Sequence, residues 1–246
     1  MHFDFTSERS LDGVRERRFT LGGVPGILWT PASASPSHPV PLILLGHPGG
    51  LAPMLSRLEA RATRSAADGY AAVTLELPGA GERQPLPAVE EARADLRRAL
   101  AAGEPVTPDI VDRLVLPLVA ASVPEWRDVI DAALALPEIA GPVAYSGGFI
   151  SIGVRLALTE PRVVAAGLFA GSYIPRTILE DARRVTIPLH VLLQWDDEGN
   201  DRQAALDLFD AFGSAEKTLQ ANLGGHRGVP AFAGEDAARF FARHLS

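Results

Sequence analysis

The sequence predicts an α/β protein built on a doubly wound, mostly parallel sheet of eight strands. Three observations lead there. Strand-like segments come in succession near the N-terminus and then alternate with helical segments to the end. Pro41–Leu45 and Ala71–Leu77 are continuous apolar runs of strand length, the pattern of strands covered on both faces. The residues able to do chemistry gather just after strand segments, where open α/β sheets bind their ligands.

The elements follow in order. Val14–Leu21 is strand-like, Gly22-Gly23 and Pro25-Gly26 signal turns, and Ile27–Thr30 resumes a strand, so 14–31 reads as a hairpin. Residues 31–40 have the composition of an exposed loop. The run 41–45 leads into Gly46-His47-Pro48-Gly49-Gly50, where bare backbone can approach a ligand. Leu55, Leu58, Ala62 and Ala66 share one helical face, and Asp68-Gly69 ends that helix. The strand 71–77 is followed by Pro78-Gly79-Ala80-Gly81, which lacks the third glycine of a dinucleotide fingerprint.

Residues 85–122 interrupt the alternation. Ala92, Leu96 and Leu100 make one helical stripe. Thr107-Pro108 reads as an N-cap and first-turn proline ahead of a second stripe at Ile110, Val111, Leu114, Val115 and Leu118. Two helices without a strand between them predict a helical insertion, a lid over 85–122 within a single domain of residues 1–246. Trp126, Val129, Ile130, Ala133 and Leu134 predict a helix. Strands are expected at 142–146, 163–169, 187–194 and 217–221, with helices after 148, around 204–212 and around 237–245.

Composition narrows the function. The net charge of −7 argues against nucleic acid and anionic membranes as partners. The chain has no cysteine, which excludes disulfides, thiolate metal sites and a cysteine nucleophile. No metal-ligand spacing and no cofactor fingerprint is present, so neither a metal nor a cofactor is expected. No apolar run approaches a membrane span and no secretory h-region is visible, so a cytoplasmic location is expected. Homo-oligomerisation is left open.

The chemistry centres on Ala144-Tyr145-Ser146-Gly147-Gly148. An apolar run ends at the serine, two glycines follow, and Phe149-Ile150 begins a new run. The expectation is a strand, a tight turn carrying Ser146, and a helix. The pattern is G-x-S-x-G with Ala144 in the first glycine position. A serine hydroxyl needs a base, and the base needs a group that fixes its tautomer. His226, after Gly224-Gly225, is the best base. Asp196, Asp197 and Glu198 compete as the acid after the preceding strand. His190 lies inside a strand and reads as a core histidine, and His47 as a residue that shapes its turn.

With these motifs the chain resembles the α/β-hydrolase superfamily, and in particular its serine-using, dienelactone-hydrolase-like carboxylesterases. The resemblance covers about residues 14–246. It rests on the 46–50 turn, Ala144–Gly148, the acidic run 196–198 and Gly225-His226. It implies Ser146 as nucleophile, Asp197 as acid and His226 as base, with an oxyanion hole from the backbone N–H groups of Gly49 and Gly147. Dienelactone hydrolase proper uses cysteine, so its own activity does not transfer. The implied activity is hydrolysis of a small to medium carboxylic ester through an acyl-enzyme on Ser146. Peptide, thioester or carbon–carbon bond hydrolysis and acyl transfer use the same constellation, and a non-catalytic binding protein on a retained fold is the alternative of another class.

Overall fold

The computed structural model describes residues 1–169, 171, 173–226 and 228–246. Its centre is a nine-stranded sheet in the order β1-β2-β3-β5-β4-β6-β7-β8-β9. An antiparallel start, β1 (Asp4–Leu11), β2 (Val14–Leu21) and β3 (Val24–Pro31), joins β5 (Ala71–Leu75) antiparallel. From β5 onward all neighbours are parallel: β4 (Val40–Gly46), β6 (Ile139–Gly147), β7 (Val163–Phe169), β8 (Leu189–Gln194) and β9 (Lys217–Asn222). The expected eight strands become nine because β1 adds an outer edge strand. Its side chains are exposed throughout, so no hydrophobic alternation marks Asp4–Leu11 in the sequence.

Period-2 alternation divides the core between the two faces of the sheet. On β6, Val143 and Tyr145 join one cluster with α3 (Pro108–Leu134) and α4 (Ile150–Thr159). Ala144 points the other way, into a cluster with Ile43, Leu45 and residues of α1 (Leu51–Ala67) and α7 (Ala231–His244). Ser146 therefore faces the α1 side.

The insertion differs from expectation in one respect. α2 (Pro87–Ala102) and the N-terminal half of α3 occupy the predicted stretch, and Thr107 caps α3 as expected by accepting from the Ile110 N–H at 3.4 Å. The second stripe is not a separate helix, however. It runs without a break through Pro117 and Pro124 into the helix at 126–134. Val111, Val115, Val119, Val123 and Trp126 form one buried stripe along it, so packing carries the helix past both prolines. The short helix α5 (Arg176–Ala182) was not expected from periodicity, and α6 (Arg202–Ala211) precedes β9.

The chain goes from β4 to β5 on one side and then crosses to β6 on the other. The C-terminal ends of β4 and β6 thus flank the switch point, where a crevice opens.

Candidate active site

A cavity of about 710 Å³ lies at that crevice, walled mostly by apolar side chains such as Leu96, Leu114, Leu118, Phe149 and Phe169. Ser146 and His226 both line it.

His226 and Asp197 are in contact. The His226 Nδ1–H donates to Asp197 Oδ2 at 2.7 Å, which leaves Nε2 with a free lone pair. Asp197 is buried and also accepts from the Gly199 N–H at 2.9 Å and from Asn200 Nδ2 at 2.5 Å. Burial works against its charge, but the bonds from His226, Asn200 and Gly199 outweigh it and hold the carboxyl below the usual carboxylate range. Asp196 has different work. Its Oδ1 accepts from the N–H groups of Gly224 and Gly225, both at 2.9 Å, and these bonds depress its pKa. Gln194 Nε2 donates to the Gly225 carbonyl at 2.7 Å. The positive φ of Gly224 and Gly225 permits the tight loop that these side chains pin, and His226 follows it directly. Glu198 is exposed.

The serine makes no hydrogen bond to this pair among the described residues. The strand runs one residue past Ser146, and the turn falls at Gly148 and Phe149, with Phe149 as the N-cap of α4. The expectation that Ser146 sits on the turn is thus corrected. Among the described non-glycine residues only Asp12 has a positive φ, so Ser146 rests in relaxed extended backbone and not in the strained elbow of a hydrolase nucleophile. Its hydroxyl accepts from Arg61 Nη2 at 3.0 Å, and the same nitrogen donates to the Ser146 carbonyl at 2.6 Å. No hydrogen bond joins Ser146 to His226 among the described residues. The two side chains have different neighbours on β7. Ser146 pairs with Gly167 of β7, whereas the His226 ring rests edge-on against Phe169 at 5.9 Å between centroids. Phe169 is two residues, roughly 6.6 Å, further along β7.

Gly49 is half-buried just ahead of α1. Gly147 is buried in β6, in register with Gly46 and Leu168, and a Cβ there would meet the Gly46 carbonyl oxygen at 2.4 Å. The Tyr145 hydroxyl donates to the Phe149 carbonyl at 2.9 Å and so fixes the turn from below. Two other histidines, His47 and His190, make internal contacts. His47 donates from Nε2 to the Leu75 carbonyl at 2.8 Å, and its burial favours the neutral ring. His190 bonds Thr218 through Nδ1 at 3.0 Å and stacks on Phe240.

Arg61 and Ser151, which both line the cavity, escaped the sequence reading, and the bond from Gln194 to the His226 loop was not foreseen. Arg61 sits on a helix face whose register relative to β6 is a tertiary fact. Gln194 had a signal, since it occupies the end of a strand immediately before the acidic run.

No family model matches the chain, and no curated protein matches it. Solved structures do. A cold-adapted esterase from an Arctic intertidal metagenomic library, in a complex with PEG, is 26% identical over 100% of both chains, with a TM-score of 0.78. Acetyl xylan esterase 1 from Thermoanaerobacterium sp. JW/SL YS485 is 14% identical over 98% of this chain and 87% of its own, with a TM-score of 0.67. The acetyl xylan esterase from Paenibacillus sp. R4 is 15% identical over 99% and 88%, with a TM-score of 0.65. The nine-stranded, mostly parallel sheet is thus an α/β-hydrolase fold, and the solved structures that share it over the whole chain include esterases.

Proposed function

We propose that the cavity is the active site of an ester hydrolase, in which His226 is the general base, Asp197 its orienting acid and Ser146 the nucleophile. The 2.7 Å bond between His226 and Asp197 carries this reading, because it presents a basic Nε2 at the mouth of an apolar cavity. In the reaction Nε2 takes the Ser146 proton while Oγ attacks the ester carbonyl. The tetrahedral oxyanion is held by the N–H groups of Gly49 and Gly147. Collapse expels the alcohol, which takes its proton from His226, and water attacking by the same route releases the acid. Before attack, Ser146 Oγ has to turn from Arg61 toward His226. The guanidinium beside it favours the developing alkoxide. The roof of the cavity is α2 with the first half of α3, which we read as the lid over the acyl group.

One observation favours a second reading. The turn residues Gly148 and Phe149 stand where a hydrolase fold presents its nucleophile, and neither has a nucleophilic atom. On that reading the fold binds a ligand and forms no acyl-enzyme. A fluorophosphonate probe separates the two. The ester hydrolase labels at Ser146, and Ser146→Ala abolishes labelling and lowers kcat on a short acyl ester by on the order of 10⁴-fold or more, with an unchanged thermal midpoint. An unlabelled wild-type protein, or an alanine variant with undiminished turnover, removes Ser146 as nucleophile.

A further inference from the structure

The cavity is charged in one sense only. Among the described residues its wall includes Arg57, Arg61 and Arg93 and no aspartate or glutamate, although the chain as a whole has a net charge of −7. Arg93 is paired with Glu90 at 2.7 Å. Arg61 has no acidic partner among the described residues. Its three hydrogen bonds all go to neutral oxygens, the Gly46 carbonyl at 3.2 Å and the carbonyl and hydroxyl of Ser146. Its Nε–H and second Nη1–H have no acceptor among the described residues. Arg57, one helical turn earlier on α1, is exposed at the same cavity and makes no ion pair or hydrogen bond among the described residues.

Arg61 is half-buried, and a guanidinium partly withdrawn from water gains most from a carboxylate partner. Desolvation, with the like charge of Arg57, pushes the Arg61 pKa down to about 10, so it stays charged at neutral pH. The carbonyls of Gly46 and Ser146 hold the guanidinium in place but do not neutralise it. An anion entering the cavity would meet both guanidinium groups, and the apolar walls suit an apolar remainder of that molecule.

We infer that the cavity binds an organic carboxylate, an apolar-bodied molecule whose carboxylate sits between Arg61 and Arg57 while its other end faces His226. If the cavity is the ester-hydrolase site proposed above, the substrate is a half-ester, with one free carboxylate besides the ester. The inference rests on that reading for the reaction, but binding alone tests the carboxylate.

Monoethyl adipate and diethyl adipate are matched probes that differ in this one charge. Calorimetric titration of the full-length protein should show the monoester binding at least about tenfold more tightly. Arg57→Gln should reduce that preference, and Arg61→Lys, which keeps the charge, should retain most of it. Arg61→Met should abolish it. Because Arg61 also braces β4 and β6, each variant is first compared with wild type by circular dichroism, and Arg57→Gln, which removes no hydrogen bond or ion pair among the described residues, decides if Arg61→Met does not fold. Equal affinity for the two esters, preference for the diester, binding of neither, or a preference that survives in folded Arg57→Gln and Arg61→Met overturns the inference. Hydrolysis of ethyl adipates, followed in parallel, separates the two proposals. A preference for binding the monoester without turnover sinks the hydrolase and leaves the carboxylate site. Turnover of both esters with no charge preference does the reverse.

Discussion

Asp196 and Asp197 are adjacent carboxylates that divide the labour of one loop. Asp197 reaches His226, while Asp196 gathers the N–H groups of Gly224 and Gly225 and so holds the backbone that carries His226. In the proposed hydrolase Asp197→Asn keeps the shape but favours the wrong histidine tautomer, and kcat should fall by on the order of 10⁴-fold. Asp196→Ala should act indirectly, through a looser loop, with a smaller loss. Steady-state kinetics on one ester ranks them, and a larger loss at Asp196 would move the acid by one residue. The sign of the pH effect also follows. The Asp197 pKa is depressed in the folded protein. Its contribution to stability is therefore full above the ordinary carboxylate range and is lost as pH falls through the depressed value. Asp197→Asn should lower the thermal midpoint at neutral pH and bring the two proteins together in acid. A gap of constant size across the titration would show that Asp197 contributes through packing instead.

At the scale of elements, the contact between α4 and the sheet depends on Gly153. A Cβ there would meet the Tyr145 ring at 2.6 Å and Leu168 at 2.8 Å, so α4 would have to lift. Gly153→Ala should cost about 1–3 kcal/mol in chemical denaturation, despite alanine's better helix propensity. A stabilised variant would show that α4 can shift freely. The roof helices give a second test. Leu118 is buried at 3% exposure, whereas Leu114 is half-buried, and both line the cavity. Leu118→Ala should lose about 2–5 kcal/mol of stability. Leu114→Ala should change the ratio of kcat/KM for short and medium acyl esters with a smaller stability loss. An unaltered ratio would leave Leu114 as scaffold.

For the whole molecule, the decisive feature is the crossing from β5 to β6 over β4, which brings the 46–50 turn beside the end of β6. β1 lies at the far edge of the sheet, held to β2 by its ladder and by Phe3 against Phe19 at 4.3 Å. Deleting residues 1–12 should lower the thermal midpoint by a few degrees and leave ligand binding in the cavity intact. Loss of binding in the truncated but folded protein would mean that the edge strand supports the site. No described helix is long and apolar enough to cross a membrane.

The sequence by itself determined the layered α/β architecture, because buried parallel strands must be continuous apolar runs and helices covering them must carry apolar stripes. Val143, Ala144 and Tyr145 state their burial in their composition. The turn ahead of His226 was also legible, since Gly224 and Gly225 mark a conformation that only glycine takes readily, but which of Asp196, Asp197 and Glu198 meets His226 was not. Register was not. Where β6 ends relative to Ser146, and which β7 residue stands level with His226, depends on how six parallel strands align. A shift of two residues leaves the apolar pattern unchanged and moves a hydroxyl by roughly 6.6 Å. Tertiary packing alone set Ser146 beside Arg61, because the guanidinium arrives from α1, 85 positions away in the chain. It also joined the second roof stripe to the helix at 126–134, because the gain from burying Val111 to Trp126 on one face exceeds the local cost of two prolines.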